Sequence, residues 1–186
     1  MENQDNIQPQ EPTQPGVTSP VLDEGKLLQY REALKLEQNL PMAIIGGLLA
    51  AFVGALIWAI ITVSTGYQIG YMALGVGLLV GYTVKFTGKG IDAIFGLLGA
   101  VSAFLGCLLG NFFSLIGFAA NEEGLGYMEL LGSIDYNLLP EIMAETFSPM
   151  DLLFYGIAVY EGYRFSFRTI TEEELIANAT KQNPLN

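Results

Sequence analysis

The stretch MAIIGGLLAAFVGALIWAIITV, residues 42–63, runs for 22 residues without a charge. As a helix rising 1.5 Å per residue it is roughly 33 Å long, enough to cross a hydrocarbon layer of ~30 Å. Asn39-Leu40-Pro41 stands just before it. Proline is well tolerated in a first helical turn, where its missing N–H would have had no partner. A first apolar helix is therefore expected from about Pro41 to Val63.

Ser64-Thr65-Gly66 then makes a short uncharged turn, and a second helix is expected from about Tyr67 to Phe86. Lys85 falls in its last turn, where a cation suits the helix dipole, and Gly88 is a natural stop. A third helix begins near Ile91 and stays uncharged from Ala93 to Asn121, longer than one crossing needs. It is expected to run on and protrude rather than to break at Gly110-Asn111. Pro149-Met150-Asp151 has the form of another helix start. The apolar segment behind it, Leu152 to Tyr160, is short, and Glu161 and Arg164 follow it. Tyr163 and Arg164 can reach the interface from a short span, so a fourth, weaker crossing over 149–168 is expected.

The flanking regions read differently. Residues 1–22 are acidic and rich in Gln and Pro, unlike a signal peptide, and are expected to be disordered. Residues 23–40 place Leu27, Arg31, Leu34 and Gln38 near one helical face, as in an amphipathic juxtamembrane helix. Residues 121–148 carry six acids and no Lys or Arg. They are expected to form an acidic extracytoplasmic loop, with Leu138, Leu139, Ile142, Met143 and Phe147 on the apolar side of an interfacial helix. Residues 169–186 form an acidic tail, helical around Glu172 to Ala177.

Composition fits this layout. Hydrophobic residues make up 51% of the 186 and charged residues only 15%, with the acids gathered in the tails and one loop. No basic stretch is dense enough to grip a phosphate backbone, which argues against nucleic acid. The lone Cys107 cannot form an intrachain disulfide, and in its apolar block it reads as a small packing residue. There is no histidine, hence neither the commonest general base nor the commonest metal ligand. No cofactor, metal or catalytic constellation is expected, and the protein is not read as an enzyme.

The eight bases give an independent count of crossings. Lys26, Arg31 and Lys35 precede the first helix, Lys85 and Lys89 separate the second from the third, and Arg164, Arg168 and Lys181 follow the last segment. Four crossings put all of them on one side, as the positive-inside rule requires, with both termini cytoplasmic. Three crossings would strand the last group outside. The expected fold is an all-α integral membrane protein, a four-helix transmembrane bundle with three strong spans and one weaker.

Lipid tails are as apolar as leucine, so small residues that admit close backbone approach decide how such helices meet. The first helix offers Gly47, Ala51 and Ala55 in one row and Gly46 and Gly54 in another. The second offers Gly77 and Gly81, and the third Gly106 and Gly110. These positions are expected to pack helices, within one chain or between copies. Tyr67, Gln68, Asn111 and Ser114 form an outer polar layer. An amide such as Asn111 inside an uncharged helix needs a partner, and Tyr67 or Gln68 lies at similar depth. Structural hydrogen bonding is the simpler role for this layer, and lining a solute path is the other. Glu161 is expected to pair with Arg164 on one helix face. Lys85 and Lys89 are expected to touch anionic lipid or a partner, with Glu37 as a weak ion-pair partner. Thr87-Gly88-Lys89-Gly90 lacks the upstream glycine of a phosphate loop, and no strand precedes it, so nucleotide binding is rejected.

EQNLP at Glu37 to Pro41, WAIITVSTGYQIGYMALGVGLLVG at Trp58 to Gly81, GKG at Gly88 to Gly90 and GCLLGN at Gly106 to Asn111 together resemble uncharacterised small multipass bacterial inner-membrane proteins. The resemblance covers roughly residues 37 to 115. It implies a location in the bacterial inner membrane and carries over no catalytic residue. The expected function is that of a non-enzymatic structural or accessory subunit, associating through its Gly-rich helices with itself or another membrane protein. The alternative is a small channel or transporter for an ion or small solute.

Overall fold

The computed structural model describes residues 22–67 and 70–179. The tail expected to be disordered lies outside these residues apart from Leu22, as do Gln68 and residues 180–186. Among the described residues every regular element is helical: α1 (Glu24–Leu36), α2 (Leu40–Thr65), α3 (Met72–Gly88), α4 (Ala93–Glu123), α5 (Tyr127–Ser133), α6 (Leu139–Thr146), α7 (Pro149–Phe165) and α8 (Glu172–Ala179). The described residues divide into two compact units, residues 22–31 with 170–179, and residues 32–169.

The smaller unit combines local caps with one backbone bond between its two segments. The Asp23 carboxylate accepts from the backbone N–H of Gly25 at 2.9 Å, and the Asp23 N–H donates to the Ala179 carbonyl at 2.7 Å. Thr171 and Glu174 cap the start of α8 reciprocally, each side chain accepting from the other's backbone N–H.

In the larger unit α2, α3, α4 and α7 pack together, α2 mainly on α4 and α3, and α7 on α3 and α4. Local chemistry sets the helix ends. Asn39 accepts from the Met42 N–H at 3.0 Å with Pro41 in the first turn, and Gly66 ends α2 in the left-handed region at φ 71°. Ser148 and Asp151 close a capping box around Pro149, which starts α7. Two helices, α2 with 26 residues and α4 with 31, are long and apolar enough to cross a membrane. Helices α3 and α7 have 17 residues each, about 26 Å by the same rise.

Helix α3 starts five residues later than the sequence pattern predicts, at Met72 rather than Tyr67. Gly70 lies in the turn before it, against the Phe154 ring, where a side chain has no room. Helix α4 does not break at Gly110-Asn111. Gly110 serves close approach instead: a Cβ there would stand 3.0 Å from the Trp58 indole.

The interior is built of small residues. Helix α2 buries Ala43, Gly46, Gly47, Ala50, Ala51, Gly54, Ala55 and Ala59, with Trp58 the one large side chain inside. Its outward side chains Ile44, Ile45, Leu48, Leu49, Phe52, Val53, Leu56, Ile57 and Ile60 are each 39% to 65% exposed. Helix α4 repeats the arrangement, burying Gly96, Gly99, Ala103, Gly106 and Gly110 while Ile94, Leu97, Val101 and Phe104 face out.

Candidate functional site

The glycines and alanines singled out as packing positions all meet neighbours in the same chain. Gly46 faces Thr83 and Thr87 of α3, Gly47 faces Val84 and Ser102, and Gly54 faces Val76. Gly106 of α4 lies against Ala51 of α2, and Ala55 is wholly buried. Gly77 and Gly81 of α3 receive α7: a Cβ on Gly77 would stand 2.7 Å from the Ala158 carbonyl oxygen, and one on Gly81 2.8 Å from the Phe165 side chain. Gly162 of α7 against Gly99 of α4 completes the set, and a Cβ on Gly162 would stand 2.6 Å from the Gly99 carbonyl oxygen. Gly162 escaped the sequence reading because α7 carries acids and bases that mask its packing face.

Of the expected polar layer, only part falls on described residues. Tyr67 is 74% exposed, and Gln68 lies outside the described residues. The Asn111 amide reaches the Tyr155 hydroxyl of α7, which donates to the Cys107 carbonyl at 3.2 Å. The Tyr155 ring meets Trp58, Phe104 and Phe147 edge-on at 6.5, 6.1 and 5.8 Å. Ser114 donates to the Gly110 carbonyl one turn back at 2.7 Å, so its hydroxyl is satisfied within α4. These contacts tie α2, α4 and α7. Beyond it, part burial pushes the Tyr127 phenol up from its usual pKa, and its hydroxyl donates to the Phe113 carbonyl at 3.3 Å.

Glu161 does not pair with Arg164. Residues four apart on a helix lie about 40° apart around the axis and residues three apart about 60°. Arg164 accordingly swings to Tyr160, donating to its hydroxyl at 2.9 Å and lying over its ring. Glu161 points the other way, into the α3–α7 contact. Its Oε2 is buried, with no hydrogen-bond partner among the described residues, and would touch a Cβ on Gly77 at 3.1 Å.

At the end of the bundle where α2 and α4 begin and α3 and α7 finish, distant segments interlock. The Asn39 N–H donates to the Gly88 carbonyl at 2.8 Å, and the Arg168 N–H to the Gly90 carbonyl at 2.8 Å. The Gln38 side chain accepts from the Ile91 N–H at 3.1 Å and donates to Asp92 at 2.8 Å. The expected pairing of Glu37 with Lys85 or Lys89 is not formed. Glu37 takes Arg168 at 2.6 Å, and Lys85 donates to the Thr169 hydroxyl at 2.8 Å. The return of α7 brings Arg168 to this spot, a position that chain order alone leaves in a tail. Between these groups lies a cleft of about 250 Å³ lined by Glu37, Lys85, Phe86, Lys89, Arg168 and Thr169.

Among the described residues no group of three or more His, Cys, Asp or Glu is placed to hold a metal ion. Comparison with protein-family models, curated proteins and solved structures finds no match for this chain.

Proposed function

We propose that the protein is a four-crossing integral membrane protein of the bacterial inner membrane, both termini cytoplasmic, working as a non-enzymatic structural or accessory subunit. The carrying observation is the inversion of the helix faces, with glycine and alanine inside and Ile, Leu, Phe and Val outside. In water, leaving the nine outward side chains of α2 half uncovered forgoes on the order of 10 kcal/mol. That rivals the whole net stability of a domain. In lipid the penalty vanishes, and packing of small residues becomes the attractive term.

Helices α3 and α7 fit as crossings because short spans are met by local thinning and by long side chains that reach the headgroups. Lys85, Lys89, Arg164 and Arg168 lie at or just beyond the helix ends that meet at one end of the bundle, where the positive-inside rule wants them. The glycine ladders are used inside the chain, so association with a second copy or a membrane partner runs through the outer faces.

Alkaline extraction of membranes tests the location, and recovery of folded protein in the aqueous fraction without detergent refutes it. Native mass measurement in mild detergent tests the role. A homo-oligomer or a co-purifying membrane protein supports it, and a strictly monomeric, partnerless species counts against it. Glu161 favours a second reading, a small channel or transporter, because a carboxylate within a membrane helix often marks an ion or proton path. For that reading Glu161→Gln must abolish a flux measured in liposomes while leaving the protein folded, and the absence of any flux in the parent chain rejects it.

A further inference from the structure

The cleft between the end of α3 and the segment after α7 has a charge balance that its own contacts do not settle. It gathers the cations Lys85, Lys89 and Arg168 around one acid, Glu37. That acid is engaged by Arg168. Lys85 donates only to a neutral hydroxyl, and Lys89 has no ion-pair partner among the described residues. Two positive charges are thus left over at a concave site with a further hydroxyl, that of Thr169.

Lys89 adds an independent sign. Its φ is 48°, and it is the one non-glycine residue with positive φ among the described residues. The left-handed position after a helix favours glycine, which has no Cβ to crowd the backbone. Glycines stand on both sides, Gly88 and Gly90, yet this position holds lysine. A side chain kept against the backbone's preference points to a use for that side chain.

The surroundings indicate what the anion is attached to. Phe86 lines the cleft and is 71% exposed, and Tyr82 stacks on it one turn back along α3. Lys85 Nζ lies 5.8 and 5.9 Å from these two ring centres, at the junction of the charged cleft and an uncovered aromatic face. We propose that the cleft binds an anionic phosphate group, supplied by the phosphodiester of an acidic phospholipid whose acyl chains lie along Tyr82 and Phe86. Ammonium groups donate to phosphate oxygens from many directions, and the guanidinium adds planar donors. The lipid source rests on the membrane reading of the chain. The phosphate chemistry does not.

The test uses the full chain in mild detergent, with phosphatidylglycerol or phosphatidylcholine of matched acyl chains, or inorganic phosphate alone. Lipid retention is read by native mass measurement and stability by thermal unfolding. Phosphatidylglycerol is expected to be retained at least fivefold more than phosphatidylcholine. Lys89→Gly is the informative variant, because it relieves the backbone: it should unfold no earlier than the parent yet lose most of the preference. Lys85→Gln should lose it too. If inorganic phosphate alone stabilises the parent but not Lys89→Gly, and the two lipids are retained equally, the phosphate site stands and its source is a soluble ligand. Equal retention with no effect of phosphate, or a preference intact in Lys89→Gly and Lys85→Gln, overturns the proposal. A chain that stays in extracted membranes but shows neither effect refutes the site alone and leaves the membrane reading standing.

Discussion

The two ends of the helix bundle are held by different kinds of contact. At the basic end, hydrogen bonds join residues far apart in sequence, such as Gln38 to Asp92, Lys85 to Thr169 and Arg168 to Glu37. At the acidic end, across α5 and α6, the described residues bond closer in sequence, with Asn137 on Asp135, Tyr136 on Leu131, Ser133 on Leu130 and, reaching back to α4, Tyr127 on Phe113. The difference follows from loop length. Short connections at the basic end bring helix termini together at little entropic cost, while the long α4–α7 connection bonds mainly to itself and, through Tyr127, to α4. The basic end therefore fixes the relative placement of the helices, and the acidic end can change with little consequence for it.

The largest effect is expected where the helices themselves touch. Gly77 and Gly75 share helix α3, two residues apart. A Cβ on Gly77 meets the backbone oxygen of Ala158 at 2.7 Å, whereas a Cβ on Gly75 meets nothing within 4 Å. Gly77→Ala should cost about 1–3 kcal/mol, since a helix backbone must move to admit it. Gly75→Ala should gain up to about 1 kcal/mol by restricting the unfolded chain. Thermal unfolding of both in the same detergent reads the difference, and similar melting temperatures would mean that α3 and α7 do not approach as described.

Much of this architecture is legible in the chain. The uncharged length of residues 42–63 marks α2, and Asn39 with Pro41 marks its start. Pro149-Met150-Asp151 marks the start of α7 despite its charges, and the structure adds the Ser148 cap. The four-residue rows of small side chains identify packing positions, but not which helix each row receives. Helix α2 carries two such rows, and both are used: Gly46 and Gly54 meet α3, while Gly47 meets both α3 and α4 and Ala51 meets α4. The contact of Asn111 with Tyr155 was also out of reach. Depth counted from helix ends points to Tyr67 and Gln68, yet α7 brings in Tyr155, whose position depends on how that shorter helix sits. Arg168 had a signal, since the charge count puts it on the side of Lys85 and Lys89, but a shared side is not a shared cleft.

Contrasting amides test the two ends directly. Gln38 bridges α1's exit to the start of α4 through the Ile91 N–H and Asp92. Gln38→Ala leaves those groups to water or unpaired and should lower stability by about 1–2 kcal/mol. Asn137→Ala removes a contact within one turn, to Asp135, and should stay within about 0.5 kcal/mol. Denaturation midpoints in detergent compare them, and an equal loss at both positions would remove the distinction between the ends. Ser148→Ala removes the cap of α7 and should fall between, near 1 kcal/mol.

The smallest effect tests whether the long-range contacts at the basic end act through charge or through geometry. Arg168 and Glu37 approach to 2.6 Å, but their side chains are 23% and 54% exposed, so water screens the pair. Such pairs contribute about 0–1 kcal/mol and weaken with salt. Glu37→Gln keeps a hydrogen-bond acceptor for the guanidinium and removes the charge, so unfolding should shift by no more than about 0.5 kcal/mol and lose its dependence on ionic strength. A loss of several kcal/mol, undiminished in high salt, would mean that Glu37 is shielded from water in a way its exposure excludes. The basic end would then owe its order to one buried ion pair rather than to the backbone bonds of Asn39 to Gly88 and Arg168 to Gly90.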